Sequence, residues 1–166
     1  DYLFHGEWTE RSAYLYGVLF SDGHVSSTKG RYQMTIGLSI RDFDWLGSLR
    51  SLFKADAQIG FAEISKSSGR MAARLTFSSK QMHARLFELG IKKEPPPNMS
   101  LEMSRHFVRG LFDGDGTAFV ESREHRLRTG LTGERFICEW VVFCASSKIT
   151  KALSKVRPRI NANGAI

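Results

Sequence analysis

Polar and apolar residues alternate with period two through "RYQMTIGLSI" at 31–40. Tyr32, Met34, Ile36, Leu38 and Ile40 share one face, and Arg31, Gln33, Thr35 and Ser39 share the other. This is the pattern of a half-buried strand. "HVSS" before it predicts a shorter strand, with "TKG" as the turn between them. A second hairpin is predicted from "QIGFAEIS", a "KSSGR" turn and "MAARLTFSS", where Met71, Ala73, Leu75 and Phe77 alternate against Arg70, Arg74 and Thr76. Between the hairpins the period changes. "RDFDWLGSLRSLFKA" places Phe43, Leu46, Leu49, Leu52 and Phe53 at helical spacing. A helix is also predicted before the first hairpin, up to Asp22. Thr9 or Ser12 can cap it, Glu10 suits its first turn, and Gly23 suits a left-handed C-cap. "KQMHARLFELG" reads as a third helix closed by Gly90. The order is helix, hairpin, helix, hairpin, helix.

"IKKEPPPNMS" follows as a stiff connector, because three consecutive prolines disfavour helix. Ser100 or Ser104 can begin the next helix, which runs to Asp115–Gly116. "TAFVES" and "RLRTGLTG" predict a third hairpin. "ERFICEWVVFCAS" carries Phe136, Ile137, Trp140, Val141 and Cys144 at helical spacing. This second series copies the first. Gly17, Asp22 and Gly23 match Gly110, Asp115 and Gly116 at a constant offset of 93 residues, and Leu15, Val18 and Leu19 match Val108, Leu111 and Phe112. A duplicated α+β unit of two pseudosymmetric αββαββα halves is expected, at 1–94 and 95–166. By that analogy the second half lacks its second hairpin and closing helix. It is expected to be truncated, with "RPRINANGAI" as the start of the hairpin. The chain starts at Asp1 rather than Met, as an internal piece of a longer protein would.

Composition narrows the class. The chain has 166 residues, 42% hydrophobic and 25% charged, with a formal net charge of +7. That is an ordinary globular composition with a bias toward a polyanionic partner. No apolar run reaches membrane-span length, and no secretory signal is visible. Cys138 and Cys144 are six residues apart in an apolar stretch, a spacing that suits buried thiols rather than a disulfide or metal site. Neither a Ser-His-Asp set, a glycine-rich phosphate loop nor a cysteine–histidine zinc pattern is present. His5, His83, His106 and His125 show no metal-like spacing, and His24 reads as a surface residue or a contact to that polyanion.

The chemistry gathers at two helix ends. Gly17 with Ser21, and Gly110 with Gly114, put small residues four apart on one helix face, which permits close approach of two backbones. Pairing through these faces would bring Asp22 and Asp115 side by side. Two carboxylates at helix C-termini repel each other and oppose both dipoles, so a cation is needed there. A hard divalent ion with oxygen ligands, Mg²⁺, suits the position and can serve phosphodiester hydrolysis.

"LYGVLFSDG" (15–23) and "VRGLFDGDG" (108–116) resemble the two signature helices of the LAGLIDADG homing endonucleases, in the single-chain, two-motif branch found in introns and inteins. The second is the closer match and includes Asp113. In the first, Phe20 replaces the family's first aspartate and Ser21 its small residue. The resemblance extends to about residue 150. It implies a saddle of two sheets over the DNA major groove and Mg²⁺-dependent double-strand cleavage at a long site. The metal would lie between Asp22 and Asp115, with Ser21 and Gly114 beside them, and each acid would serve one strand. A catalytic lysine before the second motif is also implied, for which Lys92 and Lys93 are the candidates.

The polar strand faces supply the expected DNA contacts. These are Arg31, Gln33, Thr35 and Ser39; then Arg70, Arg74 and Thr76; and then Arg126, Arg128 and Thr132. Arginine and glutamine can read guanine and adenine edges, and serine or threonine either. The resulting expectation is a monomeric, intracellular DNA endonuclease acting in cytoplasm, nucleoid or organelle. Two alternatives use the same residues. One is a non-cleaving nucleic-acid binder, such as a maturase acting on intron RNA or a DNA-binding regulator. The other is a decayed, inactive fragment.

Overall fold

A computed structural model describes residues 3–28, 30–65, 70–121 and 126–148, without the side chains of 64, 65, 70 and 145–148. Helix α1 (Glu10–Ser21) is followed by strands β1 (Gly23–Thr28) and β2 (Arg31–Ser39), then by α2 (Phe43–Phe53). Strands β3 (Ile59–Ser65) and β4 (Arg70–Ser78) lead to α3 (Lys80–Glu88). The second series is α4 (Leu101–Asp115), β5 (Gly116–Glu121), β6 (Arg126–Leu131) and α5 (Arg135–Lys148). The first sheet is antiparallel with order β1-β2-β4-β3, and β5 and β6 pair as a second sheet. The expected fold class is therefore present. The expected "RPRINANGAI" strand and residues 66–69 of the "KSSGR" turn lie outside the described residues.

Local chemistry sets the helix ends. Thr9 caps α1 in a reciprocal box with Ser12, Ser79 caps α3 and Ser100 caps α4. Gly90 ends the α3 segment at φ +69°. Gly23 does not form the left-handed cap expected of it: Asp22 closes α1 in right-handed geometry, and Gly23 begins β1 directly. Glycine is needed there for closeness instead, because a Cβ would collide with the Leu19 carbonyl and lie 2.6 Å from Leu19 Cα.

The core is built around α1. Ala13, Leu15, Tyr16, Val18 and Leu19 are fully buried, so this helix is enclosed on all sides rather than amphipathic. Met34, Ile36, Leu38, Ala73 and Leu75 form the inner face of the first sheet, covered by Leu46, Leu49 and Phe53 of α2 and by Met82 and Leu86 of α3. Each large apolar side chain buried this way contributes about 1.5–3 kcal/mol. Four expected core positions depart from the pattern, and Met71, near the start of β4, is one of them at 39% exposed. Ile40 leaves the strand for a short 3₁₀ turn (Ile40–Asp42) and is 44% exposed. Phe43 and Leu52 lie at the rim of α2, where Phe43 stacks on Phe61 with ring centroids 5.7 Å apart.

The second sheet has only two strands among the described residues. Val120 and Leu127, on the face corresponding to the inner face of the first sheet, are 61% and 69% exposed. The stretch of sequence between its strands is two residues longer than that between β1 and β2. Beyond it the repeat offset becomes 95, which equates Trp45 of α2 with Trp140 of α5. Cys138 and Cys144 are buried free thiols, as expected.

Candidate active site and nucleic-acid face

The site starts from two glycines. Helices α1 and α4 cross with Gly17 against Gly110. A Cβ on Gly17 would collide with the Phe107 carbonyl and lie 2.9 Å from Leu111 N. One on Gly110 would collide with the Tyr14 carbonyl and lie 2.9 Å from Val18 N. No larger residue permits this approach. One turn further, Gly114 faces Ser21 Oγ and Asp22 Oδ2, and a Cβ there would collide with both. The small-residue faces thus bring together the C-terminal ends of the two helices, with Asp22 capping α1 and Asp115 ending α4.

Around this crossing the polar groups converge. Ser21 Oγ donates to Asp22 Oδ2 at 3.0 Å. Lys92, at the end of the first half, donates from Nζ to the Ser21 carbonyl at 3.0 Å, so its charge also caps the C-terminus of α1. Lys92 itself has a left-handed backbone, φ +61°. Burial pushes the Asp22 carboxyl above the usual carboxylate range, and Asp115 adds to the rise, while the Ser21 hydroxyl and Lys92 oppose it. Burial likewise raises Asp115, again opposed by Lys92. Burial lowers Lys92, and both acids resist that. The three groups form one electrostatic unit of two acids and one base.

That donor set fits a hard divalent cation. It offers only oxygen ligands, with excess negative charge when both acids ionise, and Gly114 lets Ser21 Oγ and Asp22 Oδ2 come against the α4 backbone. Among the described residues there is no cluster of three or more His, Cys, Asp or Glu able to enclose an ion. An ion here would complete its shell from water and from a ligand such as a phosphate, the habit of Mg²⁺.

The lysine candidates separate. Lys93 sits with Nζ 6.0 Å from the Phe87 ring centroid, over α3, and is not among the charges acting on either acid. The left-handed turn at Lys92 sends the two neighbouring side chains different ways.

The outer face of the first sheet follows from strand register. Thr28 pairs with Arg31, Ser26 with Gln33, and His24 with Thr35. Thr35 also pairs with Thr76, their hydroxyls 3.1 Å apart, and Gly37 pairs with Arg74. Arg74 lies between Gly37 and Gly60 across the sheet, its stem about van der Waals distance from where a Gly37 Cβ would be. Ser26 and Thr28 of β1 share this face; Thr28 belongs to the strand rather than to the expected "TKG" turn, and so short a strand shows little alternation in sequence. Ser39 also accepts from the Arg41 amide at 3.3 Å, which closes the 3₁₀ turn. Arg70 begins β4, and its side chain lies outside the described residues.

On the second sheet Arg126 pairs with Glu121, and Arg128 with Phe119. Arg128 also forms an ion pair with Glu121, Nε to Oε2 2.8 Å, so reading a base would require it to change partners. Thr132 lies just beyond β6 and donates its amide to the Asp115 carbonyl at 3.3 Å, which places it at the acid rather than along the strand.

No family model matches the sequence, and no curated protein matches it. Solved structures do. The homing endonuclease I-WcaI bound to its DNA recognition sequence aligns with TM-score 0.63 and 13% identity, over 95% of this chain and 75% of that one. The N-terminal LAGLIDADG domain of DUF199/WhiA aligns with TM-score 0.55 and 13% identity, over 95% and 75%. I-DmoI in complex with DNA and Mn aligns with TM-score 0.50 and 19% identity, over 83% and 77%. At these identities the likeness is one of fold. This chain has the LAGLIDADG homing-endonuclease fold.

Proposed function

We propose that the protein is a site-specific, Mg²⁺-dependent double-strand DNA endonuclease of the homing type, built as a monomer from halves at 1–94 and 95–166. The observation that carries this reading is the meeting of Asp22, Asp115 and Lys92 at the paired ends of α1 and α4. The fold alone does not, because I-WcaI and the WhiA domain share it. Asp22 is only partly exposed and faces the charge of Asp115, which raises the energy of the folded chain when both ionise, so the pair points to a bound cation.

In this reading Asp22 and Asp115 hold the ion through their carboxylates. A bound Mg²⁺ would supply Lewis-acid activation of water and stabilisation of the leaving oxygen. Lys92 lowers the local negative charge and orients the scissile phosphate by its ammonium. DNA lies along the polar sheet faces. Arg31, Gln33, Arg74, Arg126 and Arg128 contact bases or phosphates, and Thr35, Thr76, Ser39 and Thr132 add hydroxyls. That I-DmoI is solved with DNA and Mn supports the ligand class.

The test is incubation with a randomised duplex DNA library and Mg²⁺, followed by sequencing of the cut ends. Recovery of one recurrent site supports the reading. Asp22→Asn and Asp115→Asn are each expected to abolish double-strand cutting at that site with binding largely intact. Full double-strand cutting by either variant refutes the assignment. Binding without cutting by the unaltered chain instead favours the non-cleaving binder.

A further inference from the structure

The two halves are related by a repeat, but the layer between them is not symmetric. Tyr14 of α1 corresponds to Phe107 of α4, Phe20 corresponds to Asp113, and Trp45 corresponds to Trp140. Each half therefore contributes a tryptophan and a helix aromatic, and each meets the motif residue of the opposite helix. On one side the triad is Trp45, Tyr14 and Asp113. Trp45 Nε1 donates to the Tyr14 hydroxyl at 3.1 Å, and that hydroxyl donates to Asp113 Oδ2 at 2.9 Å. The Arg109 guanidinium lies 4.5 Å from the Tyr14 ring centroid. On the other side the triad is Trp140, Phe107 and Phe20. Here the rings pack edge to face, at 5.3 Å between Trp140 and Phe107 and 5.8 Å between Phe107 and Phe20. One hydroxyl and one carboxylate on the first side are replaced by hydrocarbon on the second.

We propose that the Trp45–Tyr14–Asp113 chain is a one-sided positioning device that holds the last turn of α4, and so Asp115, whereas the last turn of α1 has ring packing at Phe20 and the Lys92 ammonium on its Ser21 carbonyl. Asp113 is two residues before Asp115 and acts through the helix, not on the substrate. Hydrogen bonds hold distance and direction within narrow limits, whereas edge-to-face rings are favourable over centroid separations of about 4.5–7 Å. The arrangement also explains the departure at Phe20. An aspartate there would face the Phe107 ring, where no hydroxyl donor waits for it. Self-pairing is disfavoured for the same reason: an α1–α1 pair would set Tyr14 against Phe20, and an α4–α4 pair Asp113 against Phe107.

Residue-resolved amide exchange of the intact chain tests this without reference to catalysis. Tyr14→Phe removes one oxygen. The amides of Gly116, bonded to the Phe112 carbonyl, and of Thr132, bonded to the Asp115 carbonyl, are expected to exchange about tenfold faster. The Asp22 amide, bonded to the Val18 carbonyl, is expected to stay near its original rate. Asp113→Asn keeps an acceptor oxygen and is expected to preserve protection at all three. Equal acceleration at both helix ends, or none at either, overturns the inference, as does loss in Asp113→Asn as large as in Tyr14→Phe.

A second arm rests on the endonuclease reading. Cutting followed strand by strand is expected to show Tyr14→Phe slowing one strand selectively, so that nicked duplex accumulates. Equal slowing of both strands marks a merely structural role and overturns the positioning claim. If the unaltered chain cuts neither strand, the endonuclease reading falls, and the exchange contrast alone decides the present inference.

Discussion

Gly110→Ala gives the most direct check on the helix crossing. The new methyl would collide with the Tyr14 carbonyl, 2.9 Å from Val18 N and 3.1 Å from Gly17 Cα. All three are backbone atoms, so no side chain can turn aside. Ordinary contact begins near 3.4 Å, and restoring it at the carbonyl requires the helices to part by about 1 Å or more. That loosens Leu15, Val18, Leu19, Phe107 and Leu111 together, all of them buried. Overpacking of this kind costs about 3 kcal/mol at the upper end of its usual range. Alanine's higher helix propensity returns up to about 1 kcal/mol. The net expectation is a loss of about 2 kcal/mol, or a fall in Tm of about 4–8 °C for a chain of this size. Gly47→Ala is the internal control, since Gly47 is also helical but nothing lies within 4 Å of its would-be Cβ. There the propensity gain is unopposed, and Tm is expected to rise by about 2–4 °C. Thermal and urea unfolding followed by circular dichroism measure both. If Gly110→Ala is as stable as Gly47→Ala, the close crossing that brings the acids together is wrong.

Other expectations concern charge and recognition. Burial raises the Asp115 carboxyl, so the folded chain binds that proton more tightly than the unfolded chain, and ionisation at neutral pH opposes folding. Asp115→Asn is therefore expected to be more stable than the unaltered chain at pH 7. The gap should close as pH falls through the raised folded value toward about 3.9, and urea titrations showing the variant weaker at pH 7 contradict this. On the endonuclease reading, Lys92→Met removes the one cation among the described residues that acts on both acids and is expected to slow cleavage about 100-fold or more, whereas Lys93→Met, over Phe87, changes it little. A reversal of that order in timed cleavage would reassign the lysine role. Arg74→Ala is expected to cost about 1–3 kcal/mol of DNA binding and to relax preference at one base pair. Uniform weakening across sequences, with a shallower salt dependence, would mark it as a phosphate contact instead.

Periodicity and spacing alone determined much of this protein. The alternation at 31–40 and the small residues at 17, 21, 110 and 114 were legible because strand faces and helix faces impose fixed intervals on any chain. The candidate acids were legible for the same reason, as matched positions in a repeat. The tertiary structure decided what depends on direction and distance. It separated Lys92 from Lys93 by a left-handed backbone, turned Gly23 from a cap into a point of contact with Leu19, and engaged Arg128 with Glu121. It also joined Trp45, Tyr14 and Asp113, which are 31 and 99 residues apart along the pairs they form. No local pattern encodes such a chain of hydrogen bonds, because its geometry exists only once two helices from different halves have packed to glycine distance.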